Sequence, residues 1–371
     1  MAHSNRRLHF KDVDGLRFYA FLPVFVFCFF KHLSFDQEGV FVELANVMEF
    51  FVINSLDLFF CLSAFLITSH GLREYKYTDG FSFRNFLLRR LMRMALPLLL
   101  LLLFIFFGHP WLISTLKLQP ISVPDFKAFA SFLPNYFSRF NNEQFVYLAV
   151  TWTIFMFIQS SVLLGIVVRF FKTMLVPVSV ILVLGGITAR IIHVATDTAW
   201  QFDTASYGVP IGVGILVAHL IRSESKLIEK IKKVPKRLNA IIYSAAIIAI
   251  VSGYVVATDG YLLAFVPVIT SLCFGYSFIE QTFGKNSLFK IRNSRLISHL
   301  GKISFGLIVY QSMISVLVLI AMGALDLDLS SDMLRIVGLL ASFVLTWIVA
   351  DVSYNLLERP LLILRKEFKK A

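Results

Sequence analysis

Leu56-Asp57-Leu58-Phe59-Phe60-Cys61-Leu62-Ser63-Ala64-Phe65-Leu66-Ile67 sets one carboxylate and one hydroxyl inside an otherwise unbroken apolar run. Extended from Phe51 to Ser69, the run has the length and polarity of a membrane-spanning helix. An ionisable group in hydrocarbon costs a few kcal/mol or more, so Asp57 is expected to face protein and to have a structural or functional reason there. The same holds for Asp14-Gly15-Leu16-Arg17 at the mouth of the first apolar stretch and for Asp351 in the last.

Composition extends this reading to the whole chain. With 57% hydrophobic and 16% charged residues and a mean hydropathy of +0.76, the sequence predicts an all-α, polytopic membrane protein of about ten transmembrane helices. The spans are expected near residues 16–33, 51–69, 91–107, 145–170, 174–194, 207–221, 240–258, 261–280, 303–322 and 334–357, within a single domain covering 1–371. The sixth is short and carries Gly208, Gly212 and Gly214, small residues that permit close helix packing. Cys28, Cys61 and Cys273 all fall in apolar stretches, so no disulfide framework is indicated. Met1 to Lys11 is polar and lacks a small-residue cleavage site, so the first span is expected to be retained.

The net charge of +12 does not point to nucleic acid, because the basic residues occupy alternate loops. Arg6, Arg7 and Lys11, the stretch from Arg73 to Arg93, Arg169, Lys172, and the stretches from Arg222, Lys285 and Arg359 onward share one side. Asp36, Glu38, Glu43, Glu49, Asp197, Asp203, Asp259, Asp326, Asp328 and Asp332 mark the other. By the positive-inside rule both termini are expected in the cytoplasm. The basic segment 223–238 reads as an orientation signal lying against anionic lipid. The segment 108–144, rich in aromatics and proline, is expected to lie along the outer interface or over a substrate cleft.

Two charged groupings admit two readings each. Asp14 and Arg17, three residues apart at a helix start, form a local ion pair or part of a site. Phe83-Arg84-Asn85-Phe86-Leu87-Leu88-Arg89-Arg90-Leu91-Met92-Arg93 leads into the third span; its arginines either mark topology or grip phosphates bidentately. No His/Cys/Asp/Glu grouping has metal-ligand spacing, so no metal is expected; His193, His219 and His299 stand apart at span ends.

Six motifs in order then carry a resemblance. Asp14-Gly15-Leu16-Arg17, the stretch from Asp57 to Ile67, Arg89-Arg90-Leu91-Met92-Arg93 before Pro97, Thr151-Trp152-Thr153, Ile303-Ser304-Phe305-Gly306 and Leu357-Glu358-Arg359-Pro360 together resemble acyltransferase family 3, multispanning enzymes that O-acylate envelope glycans. The resemblance implies about ten spans with cytoplasmic ends in a bacterial inner (plasma) membrane. It implies acetyl-CoA or another acyl-CoA as co-substrate, with no permanently bound cofactor, and a lipid-linked or nascent glycan as acceptor beside membrane lipid. On that reading Arg89, Arg90 and Arg93 bind the donor, and Arg17 and Asp57 line the buried passage.

The sequence departs from the family where chemistry is expected. The resemblance implies histidine at Cys28, glutamate at Phe157 and histidine at Gln311. None of the replacements transfers protons as those groups do. His32, one helical turn beyond Cys28, is the candidate displaced base; beside Lys31 it also reads as an interfacial residue. An acyl-carrying Cys28 thiolate is a further option, though no activating group is evident in the sequence. Two functional expectations result: a membrane O-acyltransferase, or a catalytically inactive relative serving as scaffold, complex subunit with a protein partner, or glycan-passage protein. The buried Arg17, Asp57 and Asp351 alone would also suit a channel or transporter of unrelated fold.

Overall fold

The computed structural model describes residues 11–33, 40–77, 80–116, 135–136, 151–223, 225–256, 260–327 and 331–360, and among them there is no strand. Among the described residues, eight helices are long and apolar enough to cross a membrane, or nine if a bent pair forms one span. The first helix, α1 (Lys11–Leu33), adds 23 residues, about 34 Å at the usual rise. The 38-residue α2 (Val40–Tyr77) begins well before the apolar stretch that predicts it. Next come α3 (Phe83–Leu103), a π turn at Phe104–Gly108 and α4 (His109–Leu116).

The second half continues with α5 (Thr151–Phe170), α6 (Leu175–Ala195) and α7 (Gly208–Arg222). A short basic helix, α8 (Lys226–Lys232), turns through 106° into the helix that follows, α9 (Lys236–Val256). Four elements complete the chain: α10 (Gly260–Leu263), α11 (Val266–Phe283), α12 (Arg295–Ala324) and α13 (Asp332–Ser353), the last ending in a π turn at Tyr354–Glu358. The expected sixth span is therefore a helix despite its glycines. Most of 108–144, and 145–150 of the expected fourth span, lie outside the described residues.

Burial sorts these helices into a core and a lipid-facing belt. In α2 and α12, 78% of the most apolar window is buried, against 22% in α6 and α13. With no hydrophobic drive between helices in lipid, close packing must hold the core together. Its centre is α2 against α1 and α7, with α12 against α1 and α13. The glycines of α7 explain part of this: a Cβ on Gly214 would strike the Cys61 carbonyl of α2, and one on Gly212 would lie 2.6 Å from the Ser179 carbonyl of α6.

Cross-links gather the basic loops at one end. Arg93 donates to the Lys302 carbonyl at 2.9 Å and Arg169 to the Phe81 carbonyl at 3.2 Å. Lys285 N–H donates to the Lys232 carbonyl at 3.2 Å. In α8 the apolar Ile228 and Ile231 are buried while the lysines stay on the surface, as an interface-lying segment requires. The acidic end is tied by Tyr136, whose hydroxyl donates to Asp203 at 3.1 Å. Cys28 and Cys61 are buried, and all three cysteines are free.

Candidate active site

The arginines of α3 meet different partners. Arg90 and Arg93 stand three residues apart, on the stripe that continues through Met94, Pro97 and Leu101 into the core. Arg89, one turn before Arg93 at the edge of that stripe, meets Glu74 at 3.5 Å. Of the three expected donor-binding residues, the fold brings Arg90 and Arg93 to one cavity and turns Arg89 to Glu74.

Arg90 and Arg93 converge with Arg17 of α1 on one cavity of about 50 Å³. Ser63 and Ser304 add hydroxyls to its lining, and Phe59, Met94, Phe157, Phe305 and Ile308 form the apolar remainder. Arg90 Nε donates to Ser161 Oγ at 3.1 Å and its Nη2 to Ser63 Oγ at 3.5 Å. Arg93 Nε donates to the buried Glu358 carboxylate at 3.3 Å. Three guanidinium groups at one mouth and aromatic rings beyond suit an anionic group carrying a thin apolar arm. The space admits a few waters and is well below the roughly 300–1,000 Å³ of a pocket that swallows a drug-sized ligand.

The cavity ends on an aromatic wall. Phe157 packs on Phe60 at 4.7 Å and on Phe59 at 5.8 Å between ring centroids, and Phe60 packs on Tyr207 at 4.3 Å. The expected acid position is therefore filled by a ring that closes the space. Cys28 lies on the same α1 face as Arg17 and Phe21, further along the helix and 6% exposed. Gln311 holds the corresponding place on α12, one turn beyond Ile308. His32 sits in the last turn of α1, and its side chain lies outside the described residues.

Asp57 is separated from Arg17. Its face of α2 turns toward α6 and α7, where Asp57 Oδ1 accepts from Arg190 Nη2 at 2.9 Å, both side chains no more than 3% exposed. Arg190 Nε also donates to the Ser206 carbonyl at 2.9 Å, and the guanidinium stacks 4.1 Å from the Trp200 ring centroid. This is a buried, fully engaged ion pair. Arg190 was legible in principle: it is a charge within the apolar run of α6, and such a charge needs a partner.

One turn further along α6, His193 Nε2 meets Asp203 Oδ2 at 2.9 Å and Nδ1 meets Thr198 Oγ1 at 2.7 Å. Burial, and next the Asp203 carboxylate, raise the Tyr136 phenol above its ordinary value. Gln159 donates to Asn135 Oδ1 at 3.0 Å and accepts from Thr204 Oγ1 at 2.5 Å. The acidic end thus carries its own hydrogen-bond network. Among the described residues there is no cluster of three or more potential metal ligands.

None of the curated proteins and none of the solved structures compared with the chain matches it. Residues 10–354 match the family model described as an acyltransferase domain. That span takes in every helix lining the cavity, and the chain belongs to acyltransferase family 3.

Proposed function

We propose that this protein transfers an acetyl or other acyl group from acyl-CoA, bound from the cytoplasm at the basic end, to a hydroxyl of a lipid-linked or nascent envelope glycan at the opposite face of the inner membrane. Both termini are cytoplasmic in this reading. The observation that carries it is the convergence of Arg17, Arg90 and Arg93 on one cavity whose far wall is apolar. Arg90 and Arg93 grip donor phosphates at the mouth, Arg89 contributes from its place beside Glu74, and the acyl arm lies against Phe59, Phe157 and Ile308. Asp57 acts through Arg190 to hold α2, α6 and α7 in register. His32 is the proposed base for the acceptor hydroxyl.

A second reading has its own observation. Phe157 seated on Phe59 and Phe60 replaces an acid by a plug, which favours a non-catalytic relative that scaffolds a partner or a glycan. Mass spectrometry of envelope glycans separates the two. A deletion strain loses an O-acyl group, wild-type protein restores it, and equally expressed Arg90→Gln does not. A profile unchanged by deletion moves the reading to the non-catalytic relative. Full rescue by His32→Ala removes His32 as the base and leaves the rest standing.

A further inference from the structure

Gln311 is fully buried, and neither its Nε2 nor its Oε1 has a hydrogen-bond partner among the described residues. A primary amide left this way in a water-poor core opposes folding, so the great majority of buried polar side chains are paired. Position says what arrives to pair it. Ser304, Ile308 and Gln311 stand at i, i+4 and i+7 of α12, on one face. The first two line the arginine cavity, so Gln311 lies one turn past its apolar end. The gripping charges are at the other end, on α1 and α3. A ligand held by its phosphates at the arginines and extended along Ile308 brings its far terminus to the amide.

We propose that Gln311 forms the subsite for the acyl carbonyl: its Nε2–H donates to the thioester oxygen of the bound acyl donor. This rests on the acyl-CoA reading above. The amide cannot serve as a base, and the transfer does not require it to. The acceptor hydroxyl oxygen bonds to the carbonyl carbon, negative charge gathers on the carbonyl oxygen that Gln311 holds, and the carbon–sulfur bond breaks. The hydroxyl proton passes by way of the base proposed above to the departing sulfur, which leaves as the free thiol. Gln311 ends unchanged, having stabilised the oxygen where charge develops.

The test uses full-length protein in lipid nanodiscs and acyl-CoA isotopically labelled at the thioester carbonyl. Difference infrared spectra should show the bound carbonyl at lower frequency in wild type than in Gln311→Leu, with donor affinity changed less than about threefold and glycan acylation reduced about 10²-fold. Ligand-free Gln311→Leu should unfold at the same temperature as wild type or higher, because it removes an unpaired amide. Identical carbonyl bands in two proteins that both bind donor overturn the proposal, as does a lowered unfolding temperature in both Gln311→Leu and the closer-shaped Gln311→Met, which would show a structural partner. Failure of wild type to bind acyl-CoA instead defeats the donor reading itself, and the subsite falls with it.

Discussion

Neutralising the Asp57–Arg190 pair one side at a time should cost, summed over the two sides, about twice what removing it whole costs. The two groups are 2.9 Å apart and almost completely buried. With charge centres about 4 Å apart and an effective dielectric near 20, their attraction is about 4 kcal/mol, largely offset by the desolvation already incurred. Asp57→Leu strands a guanidinium that keeps the Ser206 carbonyl and the Trp200 face, and should cost about 3 kcal/mol. Arg190→Met strands the carboxylate and forfeits both contacts, and should cost about 5 kcal/mol. The double variant leaves no orphan charge but still forfeits the Ser206 carbonyl bond and the Trp200 stacking, together about 4 kcal/mol. Reversible unfolding in mixed micelles, followed through denaturant midpoints and slopes, should therefore give a coupling energy of about 4 kcal/mol, the size of the pair's attraction. A coupling below about 1 kcal/mol would refute the reasoning, because residues that do not meet in the folded state add independently.

Three further outcomes test other parts of the structure. Phe157→Ala should enlarge the cavity and destabilise the protein by about 3–5 kcal/mol in the same unfolding assay, since the ring is 6% exposed and stacked on Phe59 and Phe60. Gly214→Leu should deplete folded protein in membranes, as judged by detergent extraction and size-exclusion chromatography, because its side chain must displace the α2 backbone at Cys61. Hydrogen bonding to Lys232, then its charge, hold Glu229 below its ordinary value of 4.5. The support this pair lends α8 is thus present above that value and lost as pH falls through the depressed folded one. NMR titration of the carboxyl carbon should show a midpoint that rises toward the ordinary value in Lys232→Ala.

The helical membrane architecture was legible because bilayer insertion is a local, compositional matter. Runs of apolar residues of the right length report it without any knowledge of neighbours. Gly208, Gly212 and Gly214 were likewise readable as packing residues, although the sequence does not say that Gly214 serves α2 while Gly212 serves α6. Arg90 and Arg93 could be placed on one stripe from their spacing, whereas the pairing of Arg89 with Glu74 depends on where α2 ends.

What the sequence determined by itself is the class of the protein, the alternation of its loop charges and the motif order that marks its family, all of them properties carried by single segments. Tertiary structure alone decided that Arg17 joins Arg90 and Arg93 in one cavity, that Asp57 turns instead to Arg190, that Phe157 closes the space, and that Gln311 lies beyond Ile308 without a partner among the described residues. The reason is physical. A helix's period tells which residues share a face, but the rotation of each helix about its axis is set by the packing of all its neighbours at once. Only that rotation determines which buried charge meets which.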